Sequence, residues 1–370
     1  MIYGITNISH IHIIKNLSIF TQVFFYFMEN VDYVIVGAGY AGIFFAHQLI
    51  KQKKSFRIFC DDSISASQIS AGVCNPVILK RFNTFWKSQE QINYLDVIFK
   101  EIETYTSRNY MIYENVVRIF HNDSEKIQWT KNAQKDDLKL YLNPSFIHLD
   151  SVENPFYAGK VNQSCRIDVT QFFSDMLNYL EDNHYLIKEK FDYSLINIKE
   201  NSYKNILFNN LVFCEGISSN SNPYFKNIPV QPNKGHCLKV KLETSTDNYT
   251  IKKKHFLFNL QNSDYYYGGT YDRFDLTTEV NDKSVEELKN GLQEIYKNDF
   301  EIQDINIGFR ATVADRRPIL GRHQKHQNFY IFNGLGARGV YNGSYFSKIL
   351  FEFIENDVAL ESEIDVKRFY

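Results

Sequence analysis

The sequence lacks the features of several protein classes. Its 370 residues include only 5 cysteines, scattered without a C-x-x-C pair. That excludes the close redox pair of a disulfide reductase and the usual spacing of metal ligands. An odd, scattered set suits reduced thiols, so we expect a cytoplasmic protein without a bound metal. Neither sign of charge dominates, with 41 basic and 43 acidic residues, which argues against strong attraction to nucleic acid.

The N-terminus contains no apolar run long enough to span a membrane. Thr21 and Gln22 interrupt the apolar patch, and the segment lacks the basic start and small-residue cleavage site of an export signal. Met28 stands directly before the first expected strand. We therefore predict that residues 1–29 are an extension outside the fold, that Met28 is the biological start, and that no membrane anchor is present. A signal or anchor is the alternative.

Residues 31–42 carry the clearest motif. An apolar run rich in β-branched residues ends in G-x-G-x-x-G at Gly37, Gly39 and Gly42, and residues 43–51 are predicted to be helical. Such a turn lets the backbone approach a dinucleotide pyrophosphate at a helix N-terminus, while the third glycine allows close helix–strand packing. The predicted cofactor residues here are Gly37, Ala38, Gly39, Tyr40, Ala41 and Gly42.

An acidic residue follows at the spacing expected for a ribose contact. Residues 56–60 are predicted as a second strand, and Asp61 and Asp62 come directly after it. We favour Asp61 because it is the first residue beyond the strand. The spacing predicts a dinucleotide but does not distinguish FAD from NAD, and a plain structural glycine turn is the alternative.

The middle of the chain alternates between strand and helix patterns. The loop of residues 63–76 is rich in small residues and either lies against a ligand or is an ordinary surface loop. Residues 185–190, 193–198 and 206–214 resemble strands, and Gly216 after the last of them would place backbone beside the cofactor. Asp168 is predicted to cap a helix over residues 170–181. Residues 107–150 are expected to form short strands and turns.

A second sheet and a further amphipathic helix are expected after residue 231. Residues 235–241 alternate like a half-exposed antiparallel strand, and residues 265–271 form a tyrosine-rich strand with a glycine kink. Tyr271 is a candidate pocket residue. Residues 284–296 are predicted to form an amphipathic helix.

The C-terminal region repeats the strand–turn–helix arrangement. G-F-R-A-T-V-A-D-R-R-P-I-L-G at residues 308–321 is followed by a strand over residues 329–332, N-G-L-G-A-R-G at 333–339 and a helix over about 341–355. A second helix N-terminus is therefore available to a ligand.

Together these motifs resemble the FAD-dependent D-amino-acid oxidase superfamily, in particular its glycine/sarcosine-oxidase-like branch. V-I-V-G-A-G-Y-A-G, S-A-G-V-C-N-P and the two C-terminal motifs occur in that order over most of residues 30–370. The resemblance, not the spacing, implies FAD, with its ADP half held by Gly37, Gly39, Gly42 and Asp61. It also implies that a further set lies near the flavin or its ribityl chain: Ser70, Ala71, Gly72, Gly336, Arg338, Gly339 and Val340.

The resemblance also implies a substrate anchor. Arg310 matches the arginine of the G-x-R-x-x-x-x-D motif that binds a substrate carboxylate, and Arg338 is the second candidate. The structural alternatives are that Arg310 pairs with Asp315 and that Arg338 only caps a helix. We assign no acid–base residue. No cysteine occurs in the C-terminal third, where sarcosine-oxidase-like members attach flavin, so we predict dissociable, non-covalent FAD.

These observations predict an α/β (α+β overall) protein of two interleaved domains. Residues 30–80, 150–230 and 306–370 would form a Rossmann-like FAD-binding domain of glutathione-reductase type. Residues 81–149 and 231–305 would form a substrate domain with a mixed or antiparallel sheet. The oligomeric state is left open.

The predicted activity is oxidation of a C–N bond in an amino acid or secondary amine that bears a carboxylate, by hydride transfer to flavin and imine hydrolysis. Two alternatives stay open. The C-terminal motifs also resemble the oxidoreductase domain that modifies carboxymethylaminomethyluridine in tRNA, although the balanced charge argues against a tRNA partner. The protein could instead bind flavin without catalysis.

Overall fold

The computed structural model describes residues 28–261 and 263–370. Residues 1–27 of the predicted extension lie outside this part of the chain, whereas Glu29 is the first residue of a strand. Glu29 was predicted to lie outside the fold, and this was wrong, because Glu29 pairs with Ile206 of a neighbouring strand and its carboxylate with Arg57.

The described residues contain six α-helices and 21 β-strands. The helices are α1 (Tyr40–Lys51), α2 (Ser88–Thr106), α3 (Asp123–Asn132), α4 (Val169–Asp182), α5 (Asp282–Ile295) and α6 (Gly339–Asn356). The strands are β1 (Glu29–Val36), β2 (Phe56–Cys60), β3 (Val73–Cys74), β4 (Val77–Ile78), β5 (Asn83–Thr84), β6 (Met111–Ile112), β7 (Val116–Ile119), β8 (Leu142–Ile147), β9 (Ala158–Val161), β10 (Cys165–Ile167), β11 (Leu186–Lys188), β12 (Ile196–Asn197), β13 (Ser202–Tyr203), β14 (Ile206–Phe213), β15 (Gln231–Leu242), β16 (Thr250–Lys252), β17 (Phe256–Gln261), β18 (Asp264–Gly268), β19 (Phe300–Thr312), β20 (Ile319–Arg322) and β21 (Phe329–Asn333).

The first large sheet has a parallel centre. Its order is β11-β2-β1-β14-β13-β12, and β21 also pairs with β14 and carries β20 at its other edge. Strands β11, β2, β1, β14 and β21 run parallel. Tyr33, Val34 and Ile35 of β1 are fully buried, as expected for a strand covered on both faces. This is the predicted Rossmann-like layer.

The second large sheet is almost entirely antiparallel. Its order is β19-β15-β18-β17-β16-β7-β9-β8, and only the β16–β7 pair is parallel. α5 packs against β15 and buries Leu288, Leu292 and Ile295. This is the mixed sheet that the sequence predicted, so the fold class is confirmed.

Helices α1, α2, α4 and α6 cover the parallel sheet with a shared aromatic core. The Phe44 ring lies 5.9 Å from Phe99 and 5.5 Å from Phe172. The Asp168 side chain accepts a hydrogen bond from the Gln171 N–H at 3.1 Å, so the predicted cap of α4 is confirmed. Trp86 stacks on Phe346 of α6 at 5.7 Å. Among the described helices, none is long and apolar enough to cross a membrane.

Three segments depart from the predicted domain boundaries. α2 lies within the predicted substrate domain, yet Leu95, Ile98 and Phe99 join the core beneath the parallel sheet. β9 and the whole of β19 belong to the second sheet, although residues 158–161 and 306–312 were assigned to the FAD domain. The reason is that an amphipathic face specifies that a segment is buried, but not which sheet it covers.

Three local predictions were wrong. Residues 193–195 form a 3₁₀ turn where a strand was predicted, because the Asp192 side chain accepts from the Ser194 N–H at 2.9 Å. Residues 123–132 are helical, with Asn122 as N-cap. The strand over residues 235–241 is antiparallel, as predicted, but residues 235–238 are buried throughout instead of half-exposed, since α5 covers one face of β15 and the other faces the cavity described below.

Candidate active site

A large cavity lies between the two sheets. Its volume is about 1520 Å³, more than the 300–1,000 Å³ typical of small-molecule sites. Its walls come from the C-terminal ends of β1, β14 and β21, the N-termini of α1 and α6, and strands β15 and β19. The carboxyl edge of a parallel sheet is where such folds bind nucleotides.

The first glycine turn forms one end of the cavity. Gly37 has a φ of +101°, a conformation that favours glycine. A Cβ on Gly42 would lie 1.8 Å from the Gly37 carbonyl oxygen, so only glycine allows α1 to pack this closely on the turn. Gly39, the N-cap of α1, provides no side-chain cap, and the Tyr40 N–H donates to Ser67 Oγ at 3.1 Å.

The second glycine turn meets the first. α6 begins at Gly339, and its N-cap Arg338 makes no side-chain cap. A Cβ on Gly339 would lie 2.6 Å from Cδ2 of Tyr40, which places the N-termini of α1 and α6 side by side. The two motifs, about 300 residues apart in sequence, thus converge on one cavity.

All but one of the singled-out residues line this cavity. Gly42 does not, because it packs behind the turn. The lining members are Gly37, Ala38, Gly39, Tyr40, Ala41, Asp61, Ser70, Ala71, Gly72, Gly216, Tyr271, Arg310, Gly336, Arg338, Gly339 and Val340.

Asp61 and Asp62 both line the cavity and are both exposed. The Asp61 carboxylate accepts a hydrogen bond from the Ser63 N–H at 3.1 Å. The Asp61 carboxylate therefore stabilises the start of the loop that follows it. The exposed part of the carboxylate stays available to a ligand.

Arg310 lies on β19 with its guanidinium against the cavity. Its Cζ is 4.2 Å from the centre of the Tyr271 ring, and Nη1 donates to the Thr270 carbonyl oxygen at 3.0 Å. A Cβ on Gly235 would come within 2.4 Å of Nη1, so this glycine makes room for the guanidinium. The alternative pairing with Asp315 does not form, because Asp315 binds Arg368 at 3.0 Å.

Arg338 is the second guanidinium in the cavity wall. Its Cζ lies 4.9 Å from the centre of the Phe85 ring. Burial lowers the pKa of this side chain, while the nearby Tyr271 acts in the opposite direction. Within residues 28–261 and 263–370 it forms no ion pair with a carboxylate.

Two cavity residues were missed by the sequence analysis. Burial raises the pKa of Glu215 to about 7, although Tyr193 and Asn222 both donate hydrogen bonds to its carboxyl. Burial also raises the pKa of Tyr266, which stacks on Phe258 with ring centres 4.8 Å apart. The sequence did contain a signal for Glu215, because an acidic residue stands there between a predicted buried strand and Gly216.

The residues present fit FAD. Two helix N-termini whose N-cap residues provide no side-chain cap open into the cavity and suit the pyrophosphate and the polar edge of a flavin. Glycines at positions 37, 39, 336 and 339 leave backbone accessible where a side chain would fill space. Three thiols in the wall, Cys60, Cys214 and Cys237, have raised pKa values through burial.

Comparison with known proteins supports this interpretation. The family profile described as FAD dependent oxidoreductase (DAO) matches residues 32–352. Iminodiacetate oxidase from Chelativorans sp. BNC1 is similar in structure, with a TM-score of 0.74 and 16% identity over 90% of this chain and 98% of that one.

Two further structures share the fold. Glycine oxidase from Geobacillus kaustophilus has a TM-score of 0.74 and 14% identity over 92% of this chain and 98% of that one. L-proline dehydrogenase from P. horikoshii has a TM-score of 0.69 and 15% identity over 92% and 98%, respectively. With the profile spanning both glycine turns and Arg310, the chain belongs to the DAO family and is an FAD-dependent oxidoreductase.

Proposed function

We propose that this enzyme oxidises the C–N bond of an amino acid or secondary amine that bears a carboxylate. The observation that carries the proposal is Arg310, whose guanidinium faces the cavity and pairs with no carboxylate in the described residues. A guanidinium binds a carboxylate through two parallel hydrogen bonds and stays charged at any working pH. The structural relatives named as glycine oxidase, iminodiacetate oxidase and L-proline dehydrogenase are consistent with this substrate class.

FAD, when bound, supplies the hydride acceptor. The substrate loses a C–H electron pair as hydride and a proton from nitrogen, and water then hydrolyses the imine to a carbonyl compound and an amine. The chain's contribution is to bind and orient the substrate. Arg310 anchors the carboxylate, and the Tyr271 ring beneath the guanidinium restricts its direction.

The cofactor contacts follow from the same arrangement. The turn at residues 37–42 would hold the pyrophosphate at the N-terminus of α1, and Asp61 would bind the ribose. Residues 70–72 and 336–340 would contact the flavin or its ribityl chain, and Gly216 would place backbone beside the cofactor. The parallel sheet with α1, α2, α4 and α6 serves as the FAD domain, and the antiparallel sheet serves as the substrate domain.

An anaerobic screen of free amino acids and amines tests the proposal. Glycine, sarcosine and proline are added to the FAD-loaded enzyme, and loss of the oxidised flavin absorbance is followed. We expect at least one amine that bears a carboxylate to reduce the flavin, and the same amine without its carboxylate to fail.

Arg310→Ala tests the anchor directly. It should raise the KM by about 100-fold, since a buried charge-assisted pair is lost, while the visible spectrum of bound FAD is retained. The control is Arg316→Gln, which makes the same change in charge. Arg316 is an exposed arginine in the loop that follows β19. Absence of reduction by every amine would overturn the proposal, and salt-sensitive retention of tRNA would favour the modified uridine as substrate.

A further inference from the structure

Glu215 follows the strand that separates the two glycine turns. That strand, β14, pairs with β1 on one side and with β21 on the other. The Cys214 N–H donates to the Val36 carbonyl oxygen at 2.8 Å. On the other side, Asn333 Nδ2 donates to the Gly216 carbonyl oxygen at 2.8 Å. Each partner stands directly before the glycines of one turn, so the backbone at Glu215 is held between both.

The Glu215 backbone also contacts the first turn directly. A Cβ on Gly37 would lie 2.5 Å from the Cys214 carbonyl oxygen and 3.4 Å from the Glu215 Cα. A turn of this kind lies against the pyrophosphate of a bound dinucleotide. The Glu215 side chain is half-buried and lines the cavity. A cofactor in the cavity therefore removes part of the contact with water that this side chain still has.

No cation balances the Glu215 carboxyl among the described residues that set its pKa, which are its burial, Tyr193 and Asn222. The Tyr193 hydroxyl donates to one carboxyl oxygen, and Asn222 Nδ2 donates to the other at 2.7 Å. The titratable groups that face Glu215 are this hydroxyl and the Cys214 thiol. Burial and the charge of Glu215 together raise the pKa of both, so neither supplies a positive charge to it.

FAD would change the conditions under which this carboxyl ionises. Its pyrophosphate is an anion, and it would occupy the N-termini of α1 and α6, whose partial positive charge otherwise favours a carboxylate nearby. Loss of water and a nearby anion both disfavour the charged form of a carboxyl group. Burial has already raised the pKa of Glu215 to about 7, so a further rise keeps the group protonated at neutral pH.

We propose that Glu215 belongs to the FAD site and is held there as the neutral acid, so that FAD binding takes a proton from solvent into the protein. The acid can donate to the Tyr193 oxygen and accept from Asn222, so both neighbours stay paired. This inference concerns the cofactor and does not depend on which amine is oxidised. It predicts that FAD affinity falls as the pH rises, because the ionised carboxyl must regain a proton on binding.

The Kd of the apoprotein for FAD, measured by flavin fluorescence between about pH 6 and pH 8.5, tests this inference. Over that range the wild-type Kd should rise by about tenfold. Glu215→Gln should bind with a constant Kd, because an amide does not titrate, and it should equal the wild type at low pH. At high pH the variant should therefore bind FAD more tightly than the wild type, which damage to the site would not produce.

Glu301→Gln is the matched control for the loss of one negative charge. Glu301 is exposed on β19 and does not line the cavity, so this variant should follow the wild-type pH dependence. The same pH dependence in Glu215→Gln and in the wild type would overturn the inference.

Calorimetry measures the proton itself. Titrations of FAD at about pH 7 in buffers with different enthalpies of ionisation should show uptake of about half a proton by the wild type. Glu215→Gln should take up about none. Proton release by the wild type, or equal uptake by the two proteins, would contradict the inference.

Tyr193→Phe is a second variant that serves if Glu215→Gln does not fold. It removes a hydrogen bond that favours the carboxylate form of Glu215, and so it raises the pKa of this group in the apoprotein. The rise in the Kd for FAD should then begin at a higher pH than in the wild type. An unchanged onset would show that another group titrates and would overturn the inference.

Discussion

At the scale of single residues, Glu215 shows how the cavity changes an ordinary side chain. Its carboxyl accepts a hydrogen bond from the Tyr193 hydroxyl and another from Nδ2 of Asn222 at 2.7 Å. Burial still raises its pKa to about 7, because removal of the charged carboxylate from water costs more free energy than the two hydrogen bonds to that carboxylate contribute. Glu215 is therefore partly protonated near neutral pH.

This pKa predicts a pH dependence of stability. Between the ordinary pKa of 4.5 and the folded value of about 7, the folded protein holds a proton that the unfolded chain has released. The contribution of this proton to the free energy of unfolding is fully present below the ordinary pKa and falls as the pH rises to the folded pKa. Above the folded pKa, Glu215 causes no further change, and the total loss in the free energy of unfolding is at most about 3 kcal/mol.

Urea unfolding of the apoprotein between about pH 5 and pH 8 measures this effect. Glu215→Gln should show a flatter dependence than the wild type, because an amide does not titrate in this range. If the two proteins lose stability in parallel as the pH rises, Glu215 does not titrate as stated.

At the scale of elements, the two helix N-termini at the cavity differ from three of the helix N-termini outside it. α3, α4 and α5 begin at Asn122, Asp168 and Asn281, whose side chains accept hydrogen bonds from the first turn. α1 and α6 begin at Gly39 and Arg338, which make no such bond, and both open into the FAD cavity. α2 also begins at a residue without a side-chain cap, Lys87, which does not line the cavity, so a missing cap does not by itself mark the site. At α1 and α6, the N–H groups that the protein leaves unpaired are available to an anionic cofactor.

Gly339→Ala tests the contact between α1 and α6. The added Cβ would lie 2.6 Å from Cδ2 of Tyr40, whose side chain is only 3% exposed, so the two helices must move apart. We expect the Kd for FAD to rise by about tenfold or more, measured by quenching of flavin fluorescence.

Asp168→Ala is the matched control for that change. It removes the cap of α4 and should lower the free energy of unfolding by about 1 kcal/mol with no change in the affinity for FAD. A similar loss of FAD affinity in both variants would indicate general destabilisation rather than a specific contact at Gly339.

At the scale of the whole molecule, the cavity joins the two sheets, so a bound cofactor contacts both. Cys60, Cys214 and Cys237 lie in its wall, and burial raises the pKa of each thiol, that of Cys237 to about 11. Few thiolates are therefore present at neutral pH, and a thiol is a poor nucleophile toward a flavin.

We accordingly predict that FAD dissociates. Acid precipitation should leave the flavin in the supernatant, and FAD returned to the apoprotein at about 100 times its Kd should stabilise the fold by about 2.7 kcal/mol. We expect the Tm of the apoprotein to rise on addition of FAD and to rise less on addition of ADP at the same concentration. Flavin that stays with the precipitated protein would contradict the prediction.

The sequence by itself determined what depends on neighbours along the chain. The glycine turn before α1, the cap at Asp168 and the buried face of α5 at Leu288, Leu292 and Ile295 each involve residues within a few turns of one another. Backbone sterics, capping and hydrophobic periodicity act over that distance, and for this reason these features could be predicted. The order of motifs then indicated the family.

Only the tertiary structure decided which distant segments meet. It places Gly339 against Tyr40, stacks Arg310 on Tyr271 instead of pairing it with Asp315, and packs α2 beneath the parallel sheet. The pattern of apolar residues in α2 is satisfied by any apolar surface, and a guanidinium is attracted to any nearby anion or ring. Such choices depend on how the sheets and helices fill space together, and the pKa of Glu215 depends on the burial that results.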